Sequence, residues 1–243
     1  MTSAADLVRW HDLECGGYDI DLALWRELAA LAGGRVLDVG AGTGRTSLDL
    51  ARRGFEVTAL DVEEPLLAEL ARRARAERLH VATVLADARE LAVGARFAAI
   101  LVPMQTIQLL GGPEGRRRFL AVVRAHLRPG GIFAAALADA LDGYDGAALE
   151  PPLPDMAVFD GAVYSSRPVA VLPVATGTMI ERIREVVSPA GQRTVSEDRI
   201  VLDALSAETL YAECVAAGLA AEPERLVPAT EEYVGSAVVV CRG

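Results

Sequence analysis

Arg35-Val36-Leu37-Asp38-Val39-Gly40-Ala41-Gly42-Thr43-Gly44-Arg45 decides how the rest of the chain is read. Val36 to Val39 is a short apolar run expected to form a buried strand, and the pattern from Arg45 to about Arg53 predicts a helix. A strand that feeds a glycine turn into a helix lets a ligand come close to the backbone, because no Cβ stands in the way. The helix start adds free N–H groups. Glu56 to Leu60 predicts the next strand, and Asp61 at its end stands 21 residues beyond Gly40, where a carboxylate can accept hydrogen bonds from both ribose hydroxyls. Glycine turn and acid together indicate an adenosine-type cofactor. A dinucleotide fingerprint requires G-x-G-x-x-G, but here the glycines run G-x-G-x-G and Arg45 takes the sixth position. Asp38 adds negative charge beside the turn, which disfavours a pyrophosphate and suits the ammonium group of a methionine moiety. A nicotinamide-dependent oxidoreductase is the competing reading, weakened by the missing third glycine and by Asp38.

Outward from this stretch, strands and helices alternate. A helix is expected near Pro65, strands over Val81–Leu85 and Phe97–Val102, a helix over about Glu114–His126, and a strand over Ile132–Leu137 after the turn Arg128-Pro129-Gly130-Gly131. Such alternation predicts a doubly wound, mostly parallel sheet. The rhythm changes after Asp139. Residues 139–160 read as a Pro-, Gly- and Asp-rich loop, and three strand-like runs follow, about Val169–Val174, Met179–Val187 and Arg193–Leu205. Their turn signals predict an antiparallel meander, expected either to cover the acceptor site or to mediate self-association. A helix capped by Ser206 and closed by Gly218 precedes two final strands, about Glu222–Val227 and Ser236–Cys241. The expected class is therefore α/β: a seven-stranded, mostly parallel sheet with an antiparallel final strand, an N-terminal helical segment over 1–32, a core over 33–138 and 206–243, and a small antiparallel β insert over 139–205.

Composition limits the function classes. The net charge of −10 over 243 residues opposes a nucleic-acid partner. The arginine clusters at 72–78 and 116–118 lie in helical stretches and read as solvated faces. All 24 basic residues are arginine, so Schiff-base chemistry and a P-loop lysine are impossible. Cys15, Cys214 and Cys241, and His11, His80 and His126, show no metal-ligand spacing, and no metal site is expected. The first residues lack an apolar core and no run approaches the roughly 18 apolar residues that span a bilayer, so a cytoplasmic location without membrane contact is the expectation.

From Arg35 to Cys241 the chain resembles class I S-adenosylmethionine-dependent methyltransferases of small-molecule type. Residues 35–45 resemble their first motif, Asp61-Val62 their ribose-binding position, Ala86-Asp87-Ala88-Arg89 their adenine site, and Leu127-Arg128-Pro129-Gly130-Gly131 the turn before their fifth strand. The resemblance implies S-adenosylmethionine as cofactor, held by Tyr18, Asp38, Gly40, Ala41, Gly42, Gly44, Asp61, Val62, Asp87 (near the exocyclic amine), Ala88, Pro103 and Gln108. It implies that the helical segment 1–32 is a lid and that methyl is transferred to a small-molecule nitrogen or oxygen, with a homodimer among the expectations and a non-catalytic S-adenosylmethionine-binding regulatory module as the other alternative. The Asn-Pro-Pro-Tyr type motif of amide methylation is missing: Val102-Pro103-Met104-Gln105-Thr106-Ile107-Gln108 stands there instead.

Displacement on a sulfonium depends mostly on holding the nucleophile in line, so no triad is required. A base matters only where the acceptor must lose a proton. His11, with Asp12 or Glu14 nearby, and Tyr144, in the segment after the fifth strand with Asp142 and Asp145, are the candidate catalytic groups. His80 and His126 read as structural, and Trp25 as core.

Overall fold

In the computed structural model, residues 3–138, 153–230 and 233–243 are described. The chain divides into two compact units, Met1–Gly17 with Ala140–Ala204, and Tyr18–Asp139 with Leu205–Gly243. No helix among the described residues is long and apolar enough to cross a membrane.

The larger unit contains α2 (Leu22–Ala32), β1 (Val36–Val39), α3 (Arg45–Arg52), β2 (Val57–Asp61), α4 (Glu64–Ala76), β3 (Val81–Leu85), β4 (Phe97–Val102), α5 (Gly112–His126) and β5 (Leu127–Leu137). It closes with α6 (Ala207–Ala216), β10 (Ala220–Ala221), β11 (Arg225–Val227) and β12 (Ser236–Arg242). The sheet runs β3-β2-β1-β4-β5-β12, parallel as far as β5 and antiparallel at β12. β1 and β4 are buried along their whole length, as parallel strands covered on both faces must be. Alternation along each strand sorts the core into two layers. Leu37, Val39, Ile100, Val102 and Phe133 pack with Phe119 and Leu120 of α5 and Leu210 of α6. Val36, Leu101 and Ile132 pack with Trp25 and Leu28 of α2 and Leu50 of α3. This two-sided cover is the doubly wound architecture the alternating pattern implies.

The smaller unit holds α1 (Ala4–Cys15) and a four-stranded antiparallel sheet, β6 (Asp155–Phe159), β7 (Ala162–Val174), β8 (Gly177–Val187) and β9 (Arg193–Asp203). Tyr164 of β7 packs edge-on to Trp10 of α1 and donates its hydroxyl to Asp6 at 2.8 Å. Glu14 accepts from Ser166 at 2.6 Å and from two nitrogens of Arg184 at 2.7 Å. Helix and sheet of this unit are thus joined by polar contacts as well as apolar ones.

Four expectations are adjusted. The segment 139–160 was expected to be all loop, yet Asp155–Phe159 is a strand. Asp160 and Gly161, both at positive φ (50° and 79°), form the tight turn into β7, a geometry that suits an Asp-Gly pair. β7 starts at Ala162 rather than Val169 and tolerates Pro168 because the register shifts there. Of the penultimate strand expected over Glu222–Val227 only β11 is formed, and β10 lies just before that range; both pair with β12. Pro223, which lacks an N–H, sits between them, and the sheet counts eight strands for the seven expected. The units divide after Gly17, so α2, expected within the N-terminal lid, packs into the larger unit.

One buried ion pair fastens α2 to the start of α3. Asp21, 2% exposed, accepts from Trp25 Nε1 at 2.6 Å and from both terminal nitrogens of Arg45. Arg45 also donates to the Tyr18 carbonyl at 2.7 Å and lies over the Tyr18 ring at 5.2 Å. Removing one member strands a desolvated charge. Asp21→Ala is therefore expected to cost about 3–5 kcal/mol in urea unfolding, and Asp21→Leu with Arg45→Met to recover most of it. Equal stability of Asp21→Ala and wild type would show the pair to be idle.

Candidate functional site

The glycine turn leaves β1 with Gly40, Gly42 and Gly44 at φ of 71°, 55° and 99°, a region that excludes most side chains. Protein atoms fill much of the space that the glycines open. A Cβ on Gly40 would fall 2.6 Å from the side chain of Thr106, and one on Gly44 2.7 Å from Leu70. The amides are engaged too. Gly40 and Ala41 donate to the Leu60 carbonyl at 2.9 and 3.0 Å, Gly44 to the Ala41 carbonyl at 2.9 Å, and Gly42 to Asp61 Oδ2 at 2.7 Å. A pyrophosphate cradle needs these N–H groups pointed at the ligand. Here at least four are turned inward.

Asp38 in the middle of β1 is 1% exposed. Its Oδ2 accepts from Ser47 Oγ of α3 at 2.6 Å, whereas its Oδ1 is buried and has no hydrogen-bond partner among the described residues. Burial pushes its pKa up to about 6, with the nearby Asp61 charge adding to the rise and Ser47 and the Arg45 charge opposing it. A buried carboxylate oxygen with no donor is a place for a cation or a strong donor.

Asp61 closes β2. Its Oδ1 accepts from the Glu63 amide at 3.0 Å while Oδ2 holds Gly42, which leaves each oxygen a further lone pair. The neighbouring Val62 is 61% exposed. After β3, Asp87 starts the 3₁₀ turn Ala88–Glu90 and is gripped by Arg89, whose guanidinium holds its carboxyl below the usual range. Ala88 is buried.

After β4, Pro103 is buried and Met104 stands at φ 56°, a strained conformation for a residue with a side chain. Thr106 packs on Gly40. Gln108, expected to contact the cofactor, instead exchanges hydrogen bonds with the backbone of Ala138, at 3.0 Å from Nε2 and 2.9 Å to Oε1. Tyr18 is buried edge-on to Tyr233 at 5.0 Å, and desolvation raises its hydroxyl pKa.

His11 lies on α1 in the smaller unit, half-buried. For Glu14, burial pulls the pKa up, but Arg184 and Ser166 outweigh it and hold the carboxyl below its ordinary value, so it is engaged in structure. Tyr144, Asp142 and Asp145 lie outside the described residues. His126 bridges the Val122 carbonyl and the Val93 amide, a structural role. Reading the sequence overlooked Ser47, Thr106 and Arg89. Ser47 lies nine positions past Asp38 on the first turn of α3, a spacing that a strand–turn–helix drawing would have brought together.

Residues 36–131 match the family described as "Methyltransferase domain". The cypemycin N-terminal methyltransferase of a Streptomyces species is 35% identical over 112 residues, 46% of this chain and 44% of that one. A ubiquinone biosynthesis O-methyltransferase of Caulobacter vibrioides is 34% identical over 109 residues, 44% and 42% of the two chains. The match thus spans less than half the length of these curated relatives. Among solved structures, the sugar N-methyltransferase KedS8 of Streptoalloteichus is similar with a TM-score of 0.73 at 19% identity, over 100% of this chain and 94% of that one. The amino pentose methyltransferase CalS10 of Micromonospora echinaspora scores 0.70 at 22% identity, over 94% and 93%. At these identities the structures share the fold.

The Asp38 site has a stability signature. Its carboxyl ionises near 3.8 in the unfolded chain and near 6 in the folded one, so the unfolded chain sheds the proton first and stability falls as pH rises through that window. Above pH 6 the loss levels off at about 3 kcal/mol. Asp38→Asn is therefore expected to stabilise the ligand-free protein by about 1–3 kcal/mol in urea unfolding at pH 8, and by about half as much at pH 5. A gain that is independent of pH would refute the buried charge.

Proposed function

We propose that this chain, whose residues 36–131 match the methyltransferase-domain family and whose fold is shared with a solved sugar N-methyltransferase, is an S-adenosylmethionine-dependent methyltransferase acting on a small-molecule nitrogen or oxygen nucleophile. The observation that carries the reading is Asp38 Oδ1, fully buried and without a donor at the mouth of a glycine turn. It fits the ammonium of an amino-acid moiety, a cation that would meet this oxygen with a charge-assisted hydrogen bond. The open lone pairs of Asp61 fit the two ribose hydroxyls. Tyr18, Ala41, Val62, Ala88 and Pro103 complete the proposed cofactor contacts. Gly40 and Gly44 serve by letting Thr106 and α4 pack close, and Gln108 by holding Ala138.

S-adenosylmethionine, when bound, supplies an activated methyl whose leaving group needs no acid. The chain's part is to hold the acceptor in line and keep water out. The names of similar proteins include a sugar N-methyltransferase and an O-methyltransferase, and both acceptors stay within the proposal. An amine must arrive deprotonated, so its methylation should rise toward alkaline pH. For a hydroxyl acceptor His11 and Tyr144 are the proposed bases, and His11→Ala should cost about 10²–10⁴-fold in rate.

The nicotinamide alternative loses ground on two counts: the turn's amides point inward, and Arg45 at the sixth fingerprint position is locked to Asp21.

Titration calorimetry with S-adenosylhomocysteine beside NAD tests the reading, with micromolar binding expected for the first alone. Asp61→Ala should weaken that binding by about 1–3 kcal/mol, with a separate loss of stability in urea unfolding from the freed Gly42 and Glu63 amides. Binding of NAD without S-adenosylhomocysteine would overturn the proposal. A screen of small amines, phenols and carboxylates beside tRNA, DNA and peptide pools is expected to show transfer to small molecules. Transfer confined to a macromolecular pool would refute that acceptor class.

A further inference from the structure

β9 (Arg193–Asp203) pairs with β8 along its whole length, and no strand among the described residues pairs with its other side. Residues 193–197, Arg199 and Val201 are exposed. An open edge of this length is a template for a further strand unless its side chains oppose one. On the face turned away from Ser166 and Arg184, and so from α1, stand Arg193, Val195, Glu197, Arg199, Val201 and Asp203. Laid against its own reverse, this row sets every charge opposite the contrary charge and every valine opposite a valine. The edge rejects most strands and complements itself.

We propose that β9 pairs antiparallel with β9 of a second copy of this chain, about a two-fold axis at Asp198, joining two antiparallel sheets into one. Outward N–H and C=O groups alternate along an edge, so such an axis must pass through a residue. With the axis at Asp198 the whole strand is paired. Arg193 faces the partner's Asp203, Val195 the partner's Val201 and Glu197 the partner's Arg199, and symmetry repeats each contact. Val195 and Val201, 49% and 41% exposed, are covered by this pairing. Neighbouring registers fail. An axis at Glu197 or Arg199 sets a like charge against itself. One at Ser196 sets Arg193 against the partner's Arg199, and one at Ile200 sets Glu197 against the partner's Asp203. An axis at Val195 pairs only Arg193–Glu197, because residues 188–192 turn back toward β8. Arg193 and Arg199 also lie on Glu185 and Glu181 of β8, each at 2.6 Å, and a guanidinium keeps donors for a second carboxylate across the seam. On the other face Asp198 meets its own copy, and Arg184 at 2.8 Å offsets the charge of each.

Sedimentation velocity over a concentration series tests the pairing on the whole chain, with a dimer expected in the micromolar range. Glu197→Arg and Arg199→Glu should each weaken association about tenfold or more, since each sets like charges opposite one another on both sides of the axis. Mixed in equal amounts, the two variants should associate again at near wild-type strength, because each supplies the charge that the other lost. A general loss of folding would not be rescued in this way. Val195→Asp, which alters none of these ion pairs, should weaken association at an unchanged melting temperature. It decides the matter alone if Arg199→Glu, whose new carboxylate faces Glu181, melts early. A wild type that stays monomeric overturns the proposal, as does a dimer that Val195→Asp leaves intact. So does a mixture of two fully folded charge variants that fails to associate.

Discussion

A carboxylate sealed inside a parallel sheet with one oxygen lacking a donor is the constraint around which the larger unit is arranged. Asp38 sits between β2 and β4 in the middle of β1, where neighbours on both faces exclude water. Ionising it there is unfavourable, and the fold keeps the penalty tolerable by a few specific means. α3 starts close enough for Ser47 to donate, and Arg45 brings a positive charge near without touching it. Arg45 is in turn held by Asp21 and so cannot collapse onto Asp38 and neutralise it. The Asp21–Arg45–Trp25 knot ties α2 to α3 and holds Arg45 on Asp21 rather than on Asp38.

The glycine turn makes the same point from the backbone side. Glycine turns at the first strand of doubly wound folds are associated with phosphate because their amides converge on an anion. In this turn those amides close on Leu60, Ala41 and Asp61, so the turn is internally saturated and presents little positive potential. Its flank carries negative charge at Asp38 and Asp61. The local field therefore selects for a cationic ligand end, on a backbone path that looks from sequence like a relative of the dinucleotide turn.

Much of this was legible in the sequence because parallel strands announce themselves as short continuous apolar runs: β3 and β4 fall where the runs predict, as do the ends of β1. The elements that were missed depend on weaker signals. β6 is five residues with two outward-facing apolar side chains, Met156 and Val158, and only the Asp-Gly turn after it marks a hairpin. In the expected strand Glu222–Val227 only Leu226 and Val227 are apolar besides Pro223, and β11 is confined to that end. The division after Gly17 follows from which face of each N-terminal helix is apolar and what it meets. Trp25 and Leu28 find the sheet of the larger unit, and Trp10 finds Tyr164. A sequence shows the amphipathic face of a helix but not its partner.

The acids show where reading by residue type runs out. Asp21, Asp38, Asp61 and Asp87 are chemically alike on the page, and three of them were assigned to one cofactor by position. Their donors separate them. Asp21 is met by Arg45 and Trp25, Asp87 is forked by Arg89, Asp61 takes two backbone amides, and Asp38 has one hydroxyl on one oxygen and no donor on the other among the described residues. A carboxylate can only take a ligand with the lone pairs its neighbours leave, and Asp38 Oδ1 has the most left to offer. Position in a motif identifies which acids can meet the ligand, and the count of protein donors on each decides which of them do.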